Sequence, residues 1–452
     1  MFNKRVYYKL FSFLLFLQVG MLLVYFSINV KTVGEMGSGL VLVGIYFLIS
    51  IGVFTYLLRS NRLYVKFDVF ILFLLIAWLI FRITVDKQDT SYLKDQIIGT
   101  AGGVLFFLTL GWTMSISLSE LLKFVERNPK LVRRILLILI TMMGFFYIDI
   151  FLSLKMRLRD DVFLLSDVNG AYQRPGNFST IIFIILTSLV FTYNSVCYFY
   201  NASAFKRLLV NSIYITIAII AMLNAQMMGS NNSFLMVGGI AFISLVMQGV
   251  IYSSKSKVIY GAGSNIRSLL FNRYFMKKTL FMCIFTFLIL SVLSIILISF
   301  SDFDFSKTRF SGYGSGNNDS ILSRLDIIKN NFLVQFSDSP LFGNYNVDVE
   351  TTGNGTYPHS ALLFSLTHTG VIGFSLAVIF FYRSFRGILI ADKKLYSDRI
   401  SIIEKPISIL YFCIIIYVFL IANLATVLLW AVLWFSIGFL TFLIRFKNNE
   451  SS

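Results

Sequence analysis

The chain has 452 residues, of which 57% are hydrophobic and 13% charged, and its formal net charge is +17. Soluble domains carry about 25% charged residues, so this composition excludes an ordinary soluble domain and is typical of a polytopic membrane protein. The basic residues stand in short clusters between apolar runs, which favours membrane topology over nucleic-acid binding as the reason for the positive charge.

Apolar runs of about 20 residues, long enough to cross a bilayer, recur along the chain. They predict an all-α bundle of about twelve transmembrane helices. The first run lacks the small-residue cleavage site of a signal peptide, so we expect it to be retained. The predicted spans are residues 9–30, 37–58, 67–85, 95–115, 134–154, 177–200, 208–228, 233–253, 279–300, 359–382, 406–424 and 427–444.

The connections between these runs alternate between rich and poor in Lys and Arg. Because basic loops stay on the cytoplasmic side, the pattern predicts that both termini are cytoplasmic. It divides the chain into a transmembrane domain of about nine helices at 1–300, a long outer loop at 301–358, and C-terminal transmembrane helices with a cytoplasmic tail at 359–452. Loops of that length in compact proteins are usually functional or disordered.

The long outer loop contains a stretch with apolar residues at helical spacing. Asp319 or Ser320 is placed to cap this helix, and Pro340 to stop it. We therefore expect a short amphipathic helix that lies at the outer membrane surface. The apolar stripe consists of Leu322, Leu325, Ile328 and Phe332.

Acidic residues are scarce in the apolar runs. No Asp or Glu stands between Asp167 and Asp302, and the later spans contain none. Ion-coupled carriers usually need intramembrane carboxylates, so the pattern disfavours a secondary carrier, for which Asp149 is the best candidate residue. Asp302 and Asp304 form a short D-x-D pair, and Cys197, Cys283 and Cys413 show no metal-ligand spacing. We expect no metal and no cofactor.

Several Arg and Lys residues lie in the segments predicted to be outside, although basic residues are normally concentrated in cytoplasmic loops. Their presence there needs an explanation. The guanidinium fork of arginine fits phosphate oxygens, so these residues suggest a lipid-linked pyrophosphate. Ion pairs with neighbouring Asp residues, or contact with lipid headgroups, are the alternative. The strongest candidates are Arg174, at the mouth of a predicted helix, Arg309, and Arg324, in the amphipathic helix.

Only two histidines are present, His359 and His368. They are nine residues apart, about 180° on a helix, and so are not expected to share a site. His359 stands where the outer loop meets an apolar run, and imidazole suits proton transfer at neutral pH. A structural role is the alternative. His368, between two threonines, is expected to hydrogen-bond between helices.

The segment HSALLFSLTHTGVIG resembles the H-[NS]-x-x-L-x6-G-x-x-G signature of the O-antigen polymerase and ligase superfamily, with matches at His359, Ser360, Leu363, Gly370 and Gly373. Upstream, SRLDIIKNNFLVQFSDSPLFGNY resembles the same family in Arg324, Pro340 and Gly343. RPGNFSTIIF, which contains Arg174, resembles its R-x-G motif at the outer end of a middle span. One departure concerns the turn MMGSNNSFL, where Asn231 or Asn232 replaces an arginine that the family often has.

The resemblance implies a GT-C-like membrane glycosyltransferase in the bacterial inner membrane, with the long loop in the periplasm. Donor and acceptor would be oligosaccharides on undecaprenyl pyrophosphate, with a chain-length regulator and a flippase as further partners and no nucleotide sugar. His359 would act as the catalytic base, and Arg174, Arg309 and Arg324 would bind the pyrophosphate. A polymerase is the expected activity. A ligase that transfers the glycan to lipid A–core is one alternative, and a polyprenyl-lipid or sugar transporter without catalysis is another.

Overall fold

The structure is a computed structural model, and twelve α-helices carry most of the residues that it describes. Those residues are 4–31, 52, 67–86, 97–125, 127–157, 173–200, 203–253, 276–286, 288, 292, 320–353, 358–391 and 399–447. The helices are α1 (Lys4–Lys31), α2 (Phe67–Asp86), α3 (Gly103–Lys123), α4 (Pro129–Arg157), α5 (Gln173–Phe199), α6 (Ala204–Met227), α7 (Asn231–Ser253), α8 (Ser320–Asp338), α9 (Val347–Thr352), α10 (Ala361–Ala391), α11 (Arg399–Ala425) and α12 (Ala431–Lys447). A short π-helix, Ile98–Gly102, leads into α3.

The all-helical prediction is confirmed in the described part of the chain, where eight helices are long and apolar enough to cross a membrane. Shorter apolar stretches lie in α1 and α12, at Ser12–Ser27 and Ala431–Leu440. The predicted span 37–58 and most of 279–300 lie outside the described residues, so the number twelve stays a prediction for the spans. The span predicted at 406–424 agrees with the apolar stretch Pro406–Leu424, which lies inside the longer helix α11, with Pro406 in the interior of that helix.

Helix α5 is the centre of the bundle. Its sequence is apolar on all sides, which is typical of a helix surrounded by others, and its apolar stretch is entirely buried. The surrounding helices turn large apolar side chains outward instead: Phe145 of α4 is 68% exposed. Such an outer surface fits hydrocarbon rather than water.

Helices α3 and α12 are packed with their backbones in contact. A side chain added at Gly111 would collide with the backbone of Phe435 and Phe439, and one added at Gly438 would collide with the carbonyl of Leu108. Small residues allow this close approach between membrane helices, where packing rather than hydrophobic exclusion drives association.

Hydrogen bonds between helices bring the ends of α2, α4, α6 and α11 and the starts of α5, α7, α10 and α12 to one end of the bundle, here called the site end. Which side of a membrane this end faces stays a prediction. The hydrogen bonds that join helices at this end are Trp430 Nε1 to Asn177 Oδ1 (2.7 Å), Leu362 N to Asn423 Oδ1 (3.0 Å), Thr180 Oγ1 to Ser233 Oγ (3.1 Å) and Asn224 Nδ2 to Tyr147 O (3.0 Å).

The helix predicted inside the long outer loop is confirmed as α8, which begins at Ser320 and ends at Asp338, just before Pro340. Proline disfavours helical conformation in the residue before it, which accounts for the stop. Of the described side chains, Phe332 is half-buried, whereas Leu333 and Val334 are 67% and 55% exposed. Apolar residues on the outer face are what a helix at a membrane surface needs.

Candidate functional site at a broken helix

Helix α10 is broken at Gly370, inside its apolar stretch. Gly370 has φ 64° and ψ −173°, a conformation that separates two half-helices. The break lies nine residues beyond Ala361, or about 14 Å along the axis, close to half of the ~30 Å hydrocarbon thickness. Broken helices at membrane depth survive only where protein or water satisfies the freed backbone groups.

The segment that follows α8 supplies those partners. Val371 N donates to Pro340 O (3.0 Å), and Ile372 N donates to Leu341 O (3.3 Å). In return, Asn344 N donates to Thr367 O (3.3 Å). Residues 340–344 are therefore a re-entrant segment, hydrogen-bonded to both halves of α10.

Trp78 of α2 covers the break from the other side. Its Nε1 donates to Thr369 O at 2.8 Å, and its ring stacks on Phe342 with centroids 6.1 Å apart. The re-entrant segment is thus held between α2 and α10, with each freed carbonyl or amide named here bonded to a group of the protein. The Gly373 of the family-like motif packs against the same indole, because an added side chain would contact Trp78 and Thr369.

His368 lies buried beside the break, with 2% of its surface exposed. Its ring stacks on Phe364 with centroids 3.8 Å apart and meets Tyr345 edge-on at 6.1 Å. Nδ1 is 2.9 Å from Thr367 Oγ1 and 3.2 Å from Phe364 O, both in its own helix. Nε2 points to α9, where Asp348 Oδ1 is 3.8 Å away.

The expectation that His368 contacts another helix fits its approach to Asp348 of α9, although α9 belongs to the long loop and is not one of the spans. The same contact bears on the argument against a carrier, which was based on the scarcity of carboxylates in the predicted spans. None of the later spans contains an acid, yet the fold brings Asp348 from the loop to an imidazole buried in α10. A sequence pattern restricted to spans has no means of finding such a pair.

Asp86, at the end of α2, fixes the segment that carries Tyr345. Its carboxylate pairs with Arg82 one turn earlier and also accepts a hydrogen bond from Tyr345 N (2.7 Å). The amide of Asn346 donates to the backbone carbonyl of the same Asp86. The Tyr345 hydroxyl lies 3.1 Å from Thr100 in the π-helix. His368, Asp348, Tyr345, Asp86 and Thr100 are here called the His368 cluster.

Electrostatics in this cluster favour an ionised Asp348. Burial alone raises the pKa of this carboxyl, but the facing imidazole of His368 and the backbone N–H groups of Val349 and Asp348 outweigh burial, and the pKa is lowered. Burial also raises the pKa of the Tyr345 phenol, and the negative charge of the Asp348 carboxylate raises it further. Tyr345 therefore stays a neutral hydrogen-bonding group beside the Asp348 carboxylate.

His359 is half-buried and precedes the first turn of α10, so it is not part of that helix. The rotation argument that set it opposite His368 consequently does not apply to it. Ser360 caps α10, with its Oγ 3.3 Å from Leu363 N. Asn423, near the end of α11, accepts from Leu362 N and from Ser360 Oγ, at 3.0 and 3.3 Å.

Arg174 is the second residue of α5 and lies at the same end. The segment from the end of α11 to the start of α12 connects α5 with the start of α10. Asn423 accepts a hydrogen bond from Leu362 N, and Trp430, seven residues later, donates one to Asn177 of α5 at 2.7 Å. The backbone positions of two predicted site residues, Arg174 and His359, are in this way tied together through one short connection.

The turn that departs from the family-like pattern also packs beside Arg174. Gly229 ends α6 in a left-handed conformation, with φ 74°. A side chain added at Gly176 would collide with Ser230. Asn231 begins α7 and accepts a hydrogen bond from Gln226 at 3.3 Å. Asn231, one of the two residues that stand where the resembled family often has an arginine, is thus held close to the start of α5.

The remaining predicted residues are brought together only in part. Arg324 is the fifth residue of α8, whose far end contacts the break in α10. Arg309, with the Asp302 and Asp304 pair, lies outside the described residues. Within the described residues, no three His, Cys, Asp or Glu side chains converge as a metal site needs.

Comparison with known proteins adds no identity to this geometry. The chain matches no protein-family model, and no curated protein or solved structure is significantly similar to it.

Proposed function

We propose that this chain is a membrane glycosyltransferase of the polysaccharide-polymerase type. It transfers a growing glycan from undecaprenyl pyrophosphate to the non-reducing end of a second lipid-linked repeat unit. The observation that supports the proposal best lies at the site end. There the segment from Asn423 to Trp430 is hydrogen-bonded both to the backbone near His359 and to Asn177, close to Arg174. The proposed base and a proposed pyrophosphate ligand then serve one reaction centre.

The reaction assigns one role to each proposed residue. His359 takes the proton from the acceptor hydroxyl as its oxygen attacks the anomeric carbon of the donor glycan. The bond from that carbon to the pyrophosphate oxygen breaks, and its electron pair leaves with undecaprenyl pyrophosphate. Arg174, Arg309 and Arg324 stabilise the charge that grows on the leaving group.

Membrane orientation follows from the same proposal. The site end faces the periplasm of a bacterial inner membrane, both termini lie in the cytoplasm, and α8 rests on the outer leaflet. The outward apolar residues Leu333 and Val334 support this position. A reporter fusion within residues 301–358 that reads as cytosolic contradicts it.

The test in cells combines deletion with complementation. In the deletion strain, loss of the polysaccharide ladder with one repeat unit retained supports a polymerase, and loss of every repeat from the lipid core supports a ligase. His359→Ala, expressed at normal levels, should abolish the ladder. Removal of one transition-state stabiliser typically lowers rates by about 10²–10³, so Arg174→Ala or Arg324→Ala should shorten or remove it. A normal ladder in His359→Ala cells sinks the proposed role of His359.

A carrier is the second candidate, and one observation favours it: an imidazole and a carboxylate face each other beside a broken helix, as proton-coupled carriers require. Against it, carriers use the freed backbone groups of such breaks to hold substrate, whereas here residues 340–344 and Trp78 bind them. Purified protein in detergent separates the two. A polymerase still elongates lipid-linked repeats there, and a carrier has no reaction to perform.

A further inference from the structure

The short helix α9 joins the long loop to the bundle through a charged contact. Six residues do not form a stable helix on their own in water, because nucleation is unfavourable. Their position therefore depends on contacts with the rest of the protein. Tyr345 and Asn346 hold the start of the segment to Asp86, and Asp348 faces His368 across the first turn.

The imidazole of His368 is presented in one orientation. Phe364 and Tyr345 fix its plane from two sides, and Thr367 and the carbonyl of Phe364 occupy Nδ1. Because Nδ1 is engaged within α10, Nε2 is the nitrogen that meets the carboxylate.

His359 follows α9 closely in the chain. Gly353 ends α9 in a left-handed conformation, with φ 71°. His359 follows six residues later, a reach of at most about 20 Å. On its other side, Ser360 and Asn423 fix the start of α10. His359 therefore lies between two anchors, one of which is the contact of Asp348 with His368.

We infer that His368 and Asp348 form a positioning pair, which anchors α9 on the broken helix and thereby holds His359 in place for the proposed reaction. The structural half of this inference is that the pair anchors α9 on α10. The functional half is that this anchor holds His359 in place, and it rests on the proposed glycosyl transfer. Neither member of the pair takes part in bond making.

The structural half is tested by hydrogen exchange of the purified protein, followed at the amides of residues 344–353. Loss of one partner of a buried polar contact is enough to change local opening about tenfold or more. His368→Asn and Asp348→Asn should each accelerate exchange by that factor, and the double variant should add little to either. His368→Gln, whose amide reaches the position of Nε2, should retain part of the protection. Peptides from α5 should be unchanged in all variants.

Glu350→Gln is the matched control, since it removes a charge of α9 that contacts Asn344. It should leave the exchange of α9 within about threefold of wild type, the effect of a surface contact. If His368→Asn and Asp348→Asn also leave it unchanged, the anchor is refuted, whatever the polysaccharide shows.

Polysaccharide ladders test the functional half separately. Faster exchange in α9, with a shortened ladder that His368→Gln partly restores, supports the positioning role. Faster exchange with a normal ladder overturns that role while His359→Ala still abolishes the ladder. If His359→Ala itself leaves the ladder intact, the proposed function fails, and the exchange data still decide whether the anchor exists.

Discussion

Gly343 and Gly370 cross with their backbones in contact, and both have positive φ, 75° and 64°. A side chain on either residue would collide with the main chain of the other. The crossing is what allows residues 340–344 to bond both halves of α10. Each position therefore requires glycine for two reasons: its φ is positive, and a side chain would not fit between the two backbones.

Gly370→Ala should destabilise the protein by at least about 2 kcal/mol, since φ 64° with ψ −173° is a conformation that essentially only glycine adopts, at a cost of about 1–3 kcal/mol to another residue, and the collision adds to it. Thermal unfolding in detergent measures the change. Gly353→Ala is the control: it shares the positive φ, but nothing lies within 4 Å of the added carbon. The conformational cost alone, about 1 kcal/mol, is expected there. Equal losses for the two variants would argue against the crossing.

Gly111→Ala and Gly438→Ala should each weaken the packing of α3 against α12, because the added carbon meets backbone rather than a movable side chain. Overpacking of this kind costs about 1–3 kcal/mol. Gly103→Ala, on the same α3 with nothing within 4 Å, should be neutral or slightly stabilising. The midpoint of thermal unfolding ranks the three variants, and a stable Gly111→Ala protein contradicts the close crossing.

Asn423→Ala should loosen the start of α10, because Leu362 N and Ser360 Oγ both lose their acceptor. Loss of a helix-capping partner costs about 1 kcal/mol. Asn423→Asp retains an oxygen at the same position and should recover most of the loss. Hydrogen exchange at the first turn of α10 reports the effect directly, and identical behaviour of the two variants would show that the oxygen is not what holds this turn.

The Asp348 carboxyl should make stability depend on pH in the acid range. Its pKa in the folded protein lies below the ordinary 3.8, so the unfolded chain binds the proton more tightly. The stabilisation is then fully present above about pH 5 and is lost as the pH falls through the folded pKa. The unfolding midpoint of wild type should exceed that of Asp348→Asn at neutral pH, and the gap should close on acidification. A gap that widens on acidification would reverse the assignment.

The sequence predicts the helices well because their signal is local. Apolar runs, a proline stop after Asp338 and the alternation of basic loops require no knowledge of tertiary contacts. The span predicted at 406–424 agrees with the apolar stretch Pro406–Leu424, but the helix that contains it begins seven residues earlier, at Arg399, which no apolar run could indicate.

The His368 cluster was beyond such reasoning because its members come from four separate parts of the chain. The pairing of Asp348 with His368 depends on the re-entrant path of residues 340–344, and that path depends on the Gly343–Gly370 crossing. Two glycines in an apolar run indicate close packing, but not which segment fills the space. A histidine in an apolar run of a chain with only two was the available signal, and it does not name the partner.

The contact between α3 and α12 has a consequence for biogenesis. More than three hundred residues separate Gly111 from Gly438, and each lies against the backbone of the other's helix. While the ribosome is still synthesising the intervening chain, α3 offers an empty slot to lipid or to chaperones of the insertion machinery. Completion of the fold therefore waits for α12 to enter the bilayer, and nascent chains arrested before that helix should be substrates for membrane quality control.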